Sequence, residues 1–350
     1  MSELKEIART LVAPGKGILA ADESTPTITK RFKAAGLPST EESRRAYREM
    51  LFTTAGLGED ISGVILFDET IRQKTADGVP FVEVLGRQGM IPGIKVDEGA
   101  KPLALFPGEK VTEGLDGLRD RLEEYVQLGA RFTKWRAVIR IGDGIPTPVC
   151  LAANAHALAR FAAQSQESGL VPIVEPEVLM DGNHTIQRCG EVTEAMLRQV
   201  FRELAGHRVA LEGMLLKVNM VLPGEDCPQQ ASVLEVAEAT LGCLRQVVPL
   251  AVPGVVFLSG GQEDVPATKH LNEMNQMNNV PWELSFSYGR ALQAAALKAW
   301  HGKDVQAGQR ALRHRAECNG AARFGAYSDE VEQWKDSGKP PKTEFVSRNL

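Results

Sequence analysis

The chain is poor in the arrangements that hold metals or disulfides. Its five cysteines, Cys150, Cys189, Cys227, Cys243 and Cys318, are scattered, odd in number and free of any C-x-x-C pair. That pattern speaks against a disulfide framework and a cysteine zinc knuckle, and reads as reduced structural thiols. The six histidines are equally isolated, with no H-x-H or H-E-x-x-H spacing, so the sequence offers no recognisable zinc cluster. Basic charge is also short: 40 Lys and Arg stand against 45 Asp and Glu, a formal net charge of -5. A broad footprint on nucleic acid or an anionic membrane is thereby disfavoured, and any polyanion site must be local. No apolar run approaches the roughly 18 to 20 residues that span a bilayer. The amino terminus, MSELKEIARTLVAPGKG, lacks the apolar stretch of a signal peptide. Its Leu4, Ile7, Ala8 and Leu11 recur at helical spacing between charges, so it reads as an amphipathic helix of a cytoplasmic protein.

What is present is a repeated alternation. Short apolar runs bounded by turn residues occur at 17–22, 63–67, 91–97, 131–139, 171–178, 213–221, 254–260 and 282–289. Helical patterns separate most of them: TEESRRAYREML with Thr40 as N-cap, then patterns within 115–129, 151–169, 191–206, 231–248, 264–279 and 291–300. Between the second and third runs no long helix is evident. Strand followed by helix, repeated eight times, predicts an α/β fold, a (β/α)8 TIM barrel in one domain over residues 1–323. From 324 the sequence loses apolar periodicity and gains Gly, Pro and charge, which predicts a mobile carboxyl-terminal tail over 324–350.

One lysine stands out. In LEGMLLKVNMVLP, residues 211–223, a strand places Met214, Leu216, Val218, Met220 and Leu222 on one face and Gly213, Leu215, Lys217, Asn219 and Val221 on the other. The segment alone leaves two readings open. Lys217 is either on a solvated face or a buried amine, and burial would favour the neutral form that attacks carbonyls.

In a barrel, alternate residues point inward and sites gather where strands end. By that rule Asp22 closes the first strand, Lys95 and Asp97 share a face on the third, Lys134 and Arg136 on the fourth, and Glu175 and Glu177 on the fifth. With Lys217 on the sixth, lysines and carboxylates from five strands would meet in one mouth, where they can serve as acid, base and nucleophile. The seventh strand runs into Ser259, Gly260 and Gly261, the eighth into Ser287, Gly289 and Arg290 at a helix start. Glycine loops after strands seven and eight of a barrel are a common phosphate cradle, and Arg290 adds a charged fork.

The motifs AADES, KVD, KWR, VEPE, LLK, FLSGGQ and FSYGRALQ, in this order and spacing, resemble the class I fructose-bisphosphate aldolases through about Tyr327. The resemblance implies a lyase without metal or cofactor, working on sugar phosphates through a lysine Schiff base and assembled as a homotetramer. It would cleave fructose 1,6-bisphosphate reversibly to dihydroxyacetone phosphate and glyceraldehyde 3-phosphate. Carried onto matching positions, it implies that Lys217 forms the imine and that Glu175 is the acid and base for dehydration, tuned by Glu177. It implies that Asp22 takes the C4 hydroxyl proton and that Lys134 assists and depresses the amine's pKa. Lys95 and Arg136 would lie toward the far phosphate, Ser259, Gly260, Gly261, Ser287, Gly289 and Arg290 at the near one, with Ser24 and Arg31 as further phosphate contacts. The sequence departs from the family's pattern at Val218, where proline usually follows the lysine, at Thr25–Thr27, and at Glu98. It ends in Asn349 and Leu350 rather than the tyrosine that exchanges the enamine proton in many members, so another group or a bound water is expected in that role. A Schiff-base aldolase for another sugar bisphosphate, such as sedoheptulose 1,7-bisphosphate, and a non-catalytic scaffold on the same barrel are the competing expectations.

Overall fold

Each apolar run expected as a strand becomes one in the computed structural model, which describes residues 2–277 and 280–333. The strands of the barrel are β1 (Gly17–Ala21), β2 (Ile61–Leu66), β3 (Ile91–Lys95), β6 (Phe132–Ile139), β7 (Val171–Val178), β8 (Leu215–Val218), β9 (Gly254–Phe257) and β10 (Glu283–Tyr288). They pair in parallel in that order and close when β10 pairs with β1. Two short strands, β4 (Ala100–Pro102) and β5 (Lys110–Thr112), form an antiparallel hairpin outside the barrel that the sequence reading did not anticipate. Three residues per strand are too few for a hydrophobic alternation to register.

Helices cover the outside. They are α2 (Thr25–Ala34), α3 (Glu41–Phe52), α4 (Asp68–Ile71), α5 (Phe81–Arg87), α6 (Leu118–Gln127), α7 (Pro148–Glu167), α8 (Ile186–Gly206), α9 (Val233–Val247), α10 (Asp264–Gln276), α11 (Arg290–Trp300) and α12 (Val305–Arg323). Thr40 caps α3 in a reciprocal box with Ser43, satisfying amide groups that the first turn leaves open. The missing long helix between the second and third strands is explained by the two short ones, α4 and α5. None of the helices among the described residues is long and apolar enough to cross a membrane.

Strand alternation sorts the core into two layers. Leu216, Val218, Val255 and Phe257 face outward into the helix layer, while Ile18, Ala20, Ile65, Phe132, Ile173, Leu215 and Val256 fill the interior. The amino-terminal helix α1 (Ser2–Leu11) joins the inner layer: Leu4, Ile7, Ala8 and Leu11 belong to the same buried cluster and close the end where the strands begin. Two glycines make room for this floor. A Cβ on Gly93 would lie 2.3 Å from the Phe132 ring, and one on Gly254 would lie 2.6 Å from Val12, distances real side chains do not tolerate. A barrel so plugged below can open only above, at the strands' carboxyl ends.

The first ten residues of the tail expected from 324 are described by the structure. Tyr327 is buried, its amide donates to Asn272 Oδ1 at 2.9 Å and its hydroxyl to Glu332 at 2.6 Å, and α13 (Asp329–Gln333) follows. This segment is held by polar pairs rather than by an apolar stripe, so periodicity could not reveal it. Residues 334–350, with Asn349 and Leu350, lie outside the described residues.

Leu11→Ala removes fully buried volume between α1 and the barrel floor. Urea unfolding should show a loss of about 2–5 kcal/mol, as for other buried leucines truncated to alanine; a loss under 1 kcal/mol would mean the plug is not part of the cooperative core.

Candidate active site

The register of the central strands decides which charges meet. Lys95 pairs opposite Lys134, Lys134 opposite Ile173, and Arg136 opposite Glu175, so cations and carboxylates rise from neighbouring strands at the same height. Lys217, 3% exposed, projects from β8 into the interior above Leu215; of the two readings open to the sequence, the buried amine is the one realised. Its Nζ lies 3.1 Å from Glu175 Oε1. On the other side Lys134 Nζ lies 3.3 Å from Glu175 Oε2 and 2.6 Å from Asp22 Oδ2. The four groups form a chain of alternating charge, Asp22, Lys134, Glu175, Lys217, with both lysines and Glu175 buried. Glu175 Oε2 is held by the ion pair to Lys134 rather than by a hydrogen bond.

The electrostatics follow from that order. Burial works against the charge on Asp22, but Lys134, Lys217 and Lys95 overcome it and hold its carboxyl well below the usual range. Glu175 is likewise buried, and Lys134, Lys217 and Arg136 lower it. Burial disfavours the Lys134 ammonium, yet Asp22, Glu175 and Asp97 raise its pKa above the ordinary lysine value. Lys134 is therefore a fixed cation between two fixed anions.

The expected substrate contacts surround this chain. Arg136 Nε donates to Glu177, and the guanidinium remains 42% exposed toward the opening. Lys95 sits 2.6 Å from Asp97 Oδ1. Opposite, Gly260 and Gly261 both hold left-handed backbone, with φ of 53° and 99°, a conformation that turns successive N–H groups toward one concavity. Arg290 opens α11 directly after Gly289. Ser287 Oγ is buried without a hydrogen-bond partner and lines the same space. Ser24 caps α2 by position only, its hydroxyl going to Thr27 at 3.1 Å instead. Fifteen of the residues singled out from the sequence line one cleft of about 340 Å³: Asp22, Ser24, Arg31, Lys95, Lys134, Arg136, Glu175, Glu177, Lys217, Ser259, Gly260, Gly261, Ser287, Gly289 and Arg290, with Asp97 behind Lys95.

Sequence reasoning missed Glu23, Thr27, Ala20 and Leu258, which line the cleft too. Glu23 matters most. Its carboxylate takes Arg31 on one oxygen and Arg48 on the other at 2.5 Å, while Gln293 Nε2 donates to it at 2.8 Å. Its place between Asp22 and Ser24 in AADES was a signal, but strand alternation selects only Asp22, whereas the chain leaves β1 at Ala21 and brings Glu23 to the cleft as well.

A family model described as fructose-bisphosphate aldolase class-I matches residues 3–345. The chain belongs to that family. It is 61% identical over 331 residues to a probable fructose-bisphosphate aldolase class 1 of Xanthomonas campestris pv. campestris, covering 93% of this chain and 99% of the relative. It is 55% identical over 329 residues to fructose-bisphosphate aldolase 1 of Toxoplasma gondii, covering 93% and 91%. Among solved structures, that of the Plasmodium falciparum fructose-bisphosphate aldolase superposes with a TM-score of 0.92 at 49% identity, covering 93% of this chain and 95% of that one. The enzyme is thus a lyase of the class that uses a Schiff-base lysine and no metal.

The depressed carboxylates set the acid limb of stability. Groups whose folded pKa lies below the ordinary value, 3.8 for Asp22 and 4.5 for Glu175, stabilise fully above those values and lose that contribution as pH falls toward the folded pKa. Asp22→Asn should be less stable than the parent at pH 7, and the gap should narrow between about pH 4 and about pH 2 in unfolding series. A gap independent of pH would mean that Asp22 is not ionised in the folded enzyme.

Proposed function

We propose that Lys217 is the imine-forming amine of this aldolase, and that the enzyme cleaves fructose 1,6-bisphosphate reversibly to dihydroxyacetone phosphate and glyceraldehyde 3-phosphate. The observation that carries the reading is the buried Lys217 amine 3.1 Å from Glu175 Oε1, with the other oxygen of that carboxylate 3.3 Å from Lys134 Nζ. The Lys217 amine passes a proton to Glu175 and attacks the C2 carbonyl; Glu175 gives that proton to the carbonyl oxygen, then takes a second from nitrogen and delivers it to the resulting hydroxyl, which leaves as water and gives the iminium. Asp22 accepts the proton of the C4 hydroxyl; as the C3–C4 bond breaks, its electron pair passes into the iminium to give an enamine. Lys134, fixed between Asp22 and Glu175, steadies the negative charge that shifts between them. Reprotonation at C3 and hydrolysis of the imine restore Lys217.

The two ends of the cleft suit two phosphates. Ser259, Gly260, Gly261, Ser287, Gly289 and Arg290 supply backbone N–H groups, hydroxyls and a guanidinium for the near one. Lys95 and Arg136 supply cationic ends for the far one, and Ser24 and Arg31 border the rim. Their partners Asp97, Glu177 and Glu23 keep these cations in place without substrate. We further assign a homotetramer in the cytoplasm; an Arabidopsis thaliana relative, 51% identical, is described as cytosolic. Leu105, 97% exposed in the turn between β4 and β5 with φ of 68°, is an apolar side chain that subunit contact would cover.

Borohydride reduction of enzyme mixed with substrate, followed by peptide mapping, should place the adduct on Lys217, and turnover should survive EDTA. Lys217→Met should abolish turnover, and Glu175→Gln should lower kcat about 10²- to 10⁴-fold. An adduct on another lysine would overturn the assignment. Sedimentation velocity should give a species of four chain masses, and Leu105→Asp should shift it toward smaller species.

A further inference from the structure

The fold brings together three ligand-bearing side chains that the sequence keeps apart. His314 and Cys318 stand four residues apart on α12, hence on one face of that helix. Glu332 reaches them from α13, packed back against α12. Cys318 Sγ lies 3.6 Å from His314 Nε2, and that nitrogen lies 3.9 Å from Glu332 Oε1. All three donor atoms fall within 4.8 Å of one another.

These separations are close to those of a tetrahedral shell. Zinc bound at its usual lengths to sulfur and imidazole nitrogen spaces the two ligand atoms by about 3.5 Å, and nitrogen and carboxylate oxygen by about 3.4 Å. Cysteine and histidine already meet that figure, and the separation of His314 from Glu332 exceeds its own by about half an ångström. The carboxylate is also oriented from behind: Arg315 Nη1 donates to its two oxygens at 2.7 and 2.6 Å, and the Tyr327 hydroxyl donates at 2.6 Å. Hydrogen-bonded partners of this kind fix the direction of a ligating carboxylate.

We propose that His314, Cys318 and Glu332 form a site for a borderline-soft divalent cation of the zinc type, with water as fourth ligand, that clamps α13 onto α12. As the sulfur–metal bond forms, the Cys318 thiol releases its proton to solvent. Without the metal, burial pushes that thiol up to about 12, so it is an inert thiol rather than a reactive one. His314, Cys318 and Glu332 are not among the residues that line the cleft, so the site is separate from the metal-free imine chemistry.

A second cluster, His156, Glu203 and His207, also groups three possible ligands, but it has no sulfur, and this distinguishes the two. Full-length, metal-stripped enzyme reduced with a phosphine should, on titration with Co²⁺, develop an intense near-ultraviolet thiolate-to-cobalt band saturating at one equivalent and bleached by Zn²⁺. Cys318→Ser and His314→Ala should each lose the band while keeping aldolase turnover, since neither residue lines the cleft. Should Cys318→Ser fail to fold, His314→Ala, at a half-buried position, carries the test. Zn²⁺ should also slow amide exchange over residues 329–333 in the parent and not in the variants. No band, or a band that survives both substitutions, overturns the site; a band without slowed exchange overturns the clamp.

Discussion

The buried chain of alternating charge from Asp22 through Lys134 and Glu175 to Lys217 is the constraint around which the rest of the molecule is arranged. Four ionisable groups packed together in a protein interior are tolerable only as a set, because each offsets the desolvation of its neighbours. Removing one partner of a buried pair typically costs about 3–5 kcal/mol, since the other charge is then left without compensation. The barrel supplies what such a set requires. Parallel strands in fixed register hold Cα positions rigidly, inward alternation aims the side chains at one another, and a dry floor of Phe132, Ile173, Leu215 and Val256 excludes water from below. Helix α1 completes that floor, so a segment with no ionic role in the cleft determines the dielectric in which the cleft works.

Around the central chain, three cations at the rim are paired with carboxylates: Lys95 with Asp97, Arg136 with Glu177, Arg31 with Glu23. The arrangement offsets the positive charge of these three side chains within the mouth. Glu23 does this most elaborately, sharing its oxygens between Arg31 and Arg48 and receiving Gln293 from α11. The first strand's loop is thereby tied to the helix that follows the last strand, across the seam where the barrel closes. Barrel closure and the position of Arg31 depend on the same carboxylate.

Much of this was legible in the residues themselves. Eight apolar runs with helical patterns between them define the barrel because strand and helix periods differ and turn residues mark each change. Asp22, Lys134, Glu175 and Lys217 were legible because each closes or crosses an apolar strand on the face opposite its outward residues. Glu23 was not, since it follows Asp22 directly and its importance comes from Arg48, 25 residues on, and Gln293, 270 residues on. Tyr327 and α13 were not, because the bonds of Tyr327 to Asn272 and Glu332 and of Arg315 to Glu332 replace the apolar stripe that periodicity detects. The same holds for His314, Cys318 and Glu332, whose meeting depends on a short helix without a pattern.

The sequence by itself determined the architecture and the chemical types available at the mouth: periodicity fixes which elements form, and alternation fixes which side chains share a face. Only the tertiary structure decided whether Lys217 faces water or a carboxylate, and which anion each cation meets. Those outcomes depend on strand register and barrel closure, and neither is a property of any single segment. Pairing Arg136 opposite Glu175 and closing β10 onto β1 bring groups distant along the chain to within a few ångströms, where burial and Coulomb attraction give them their character.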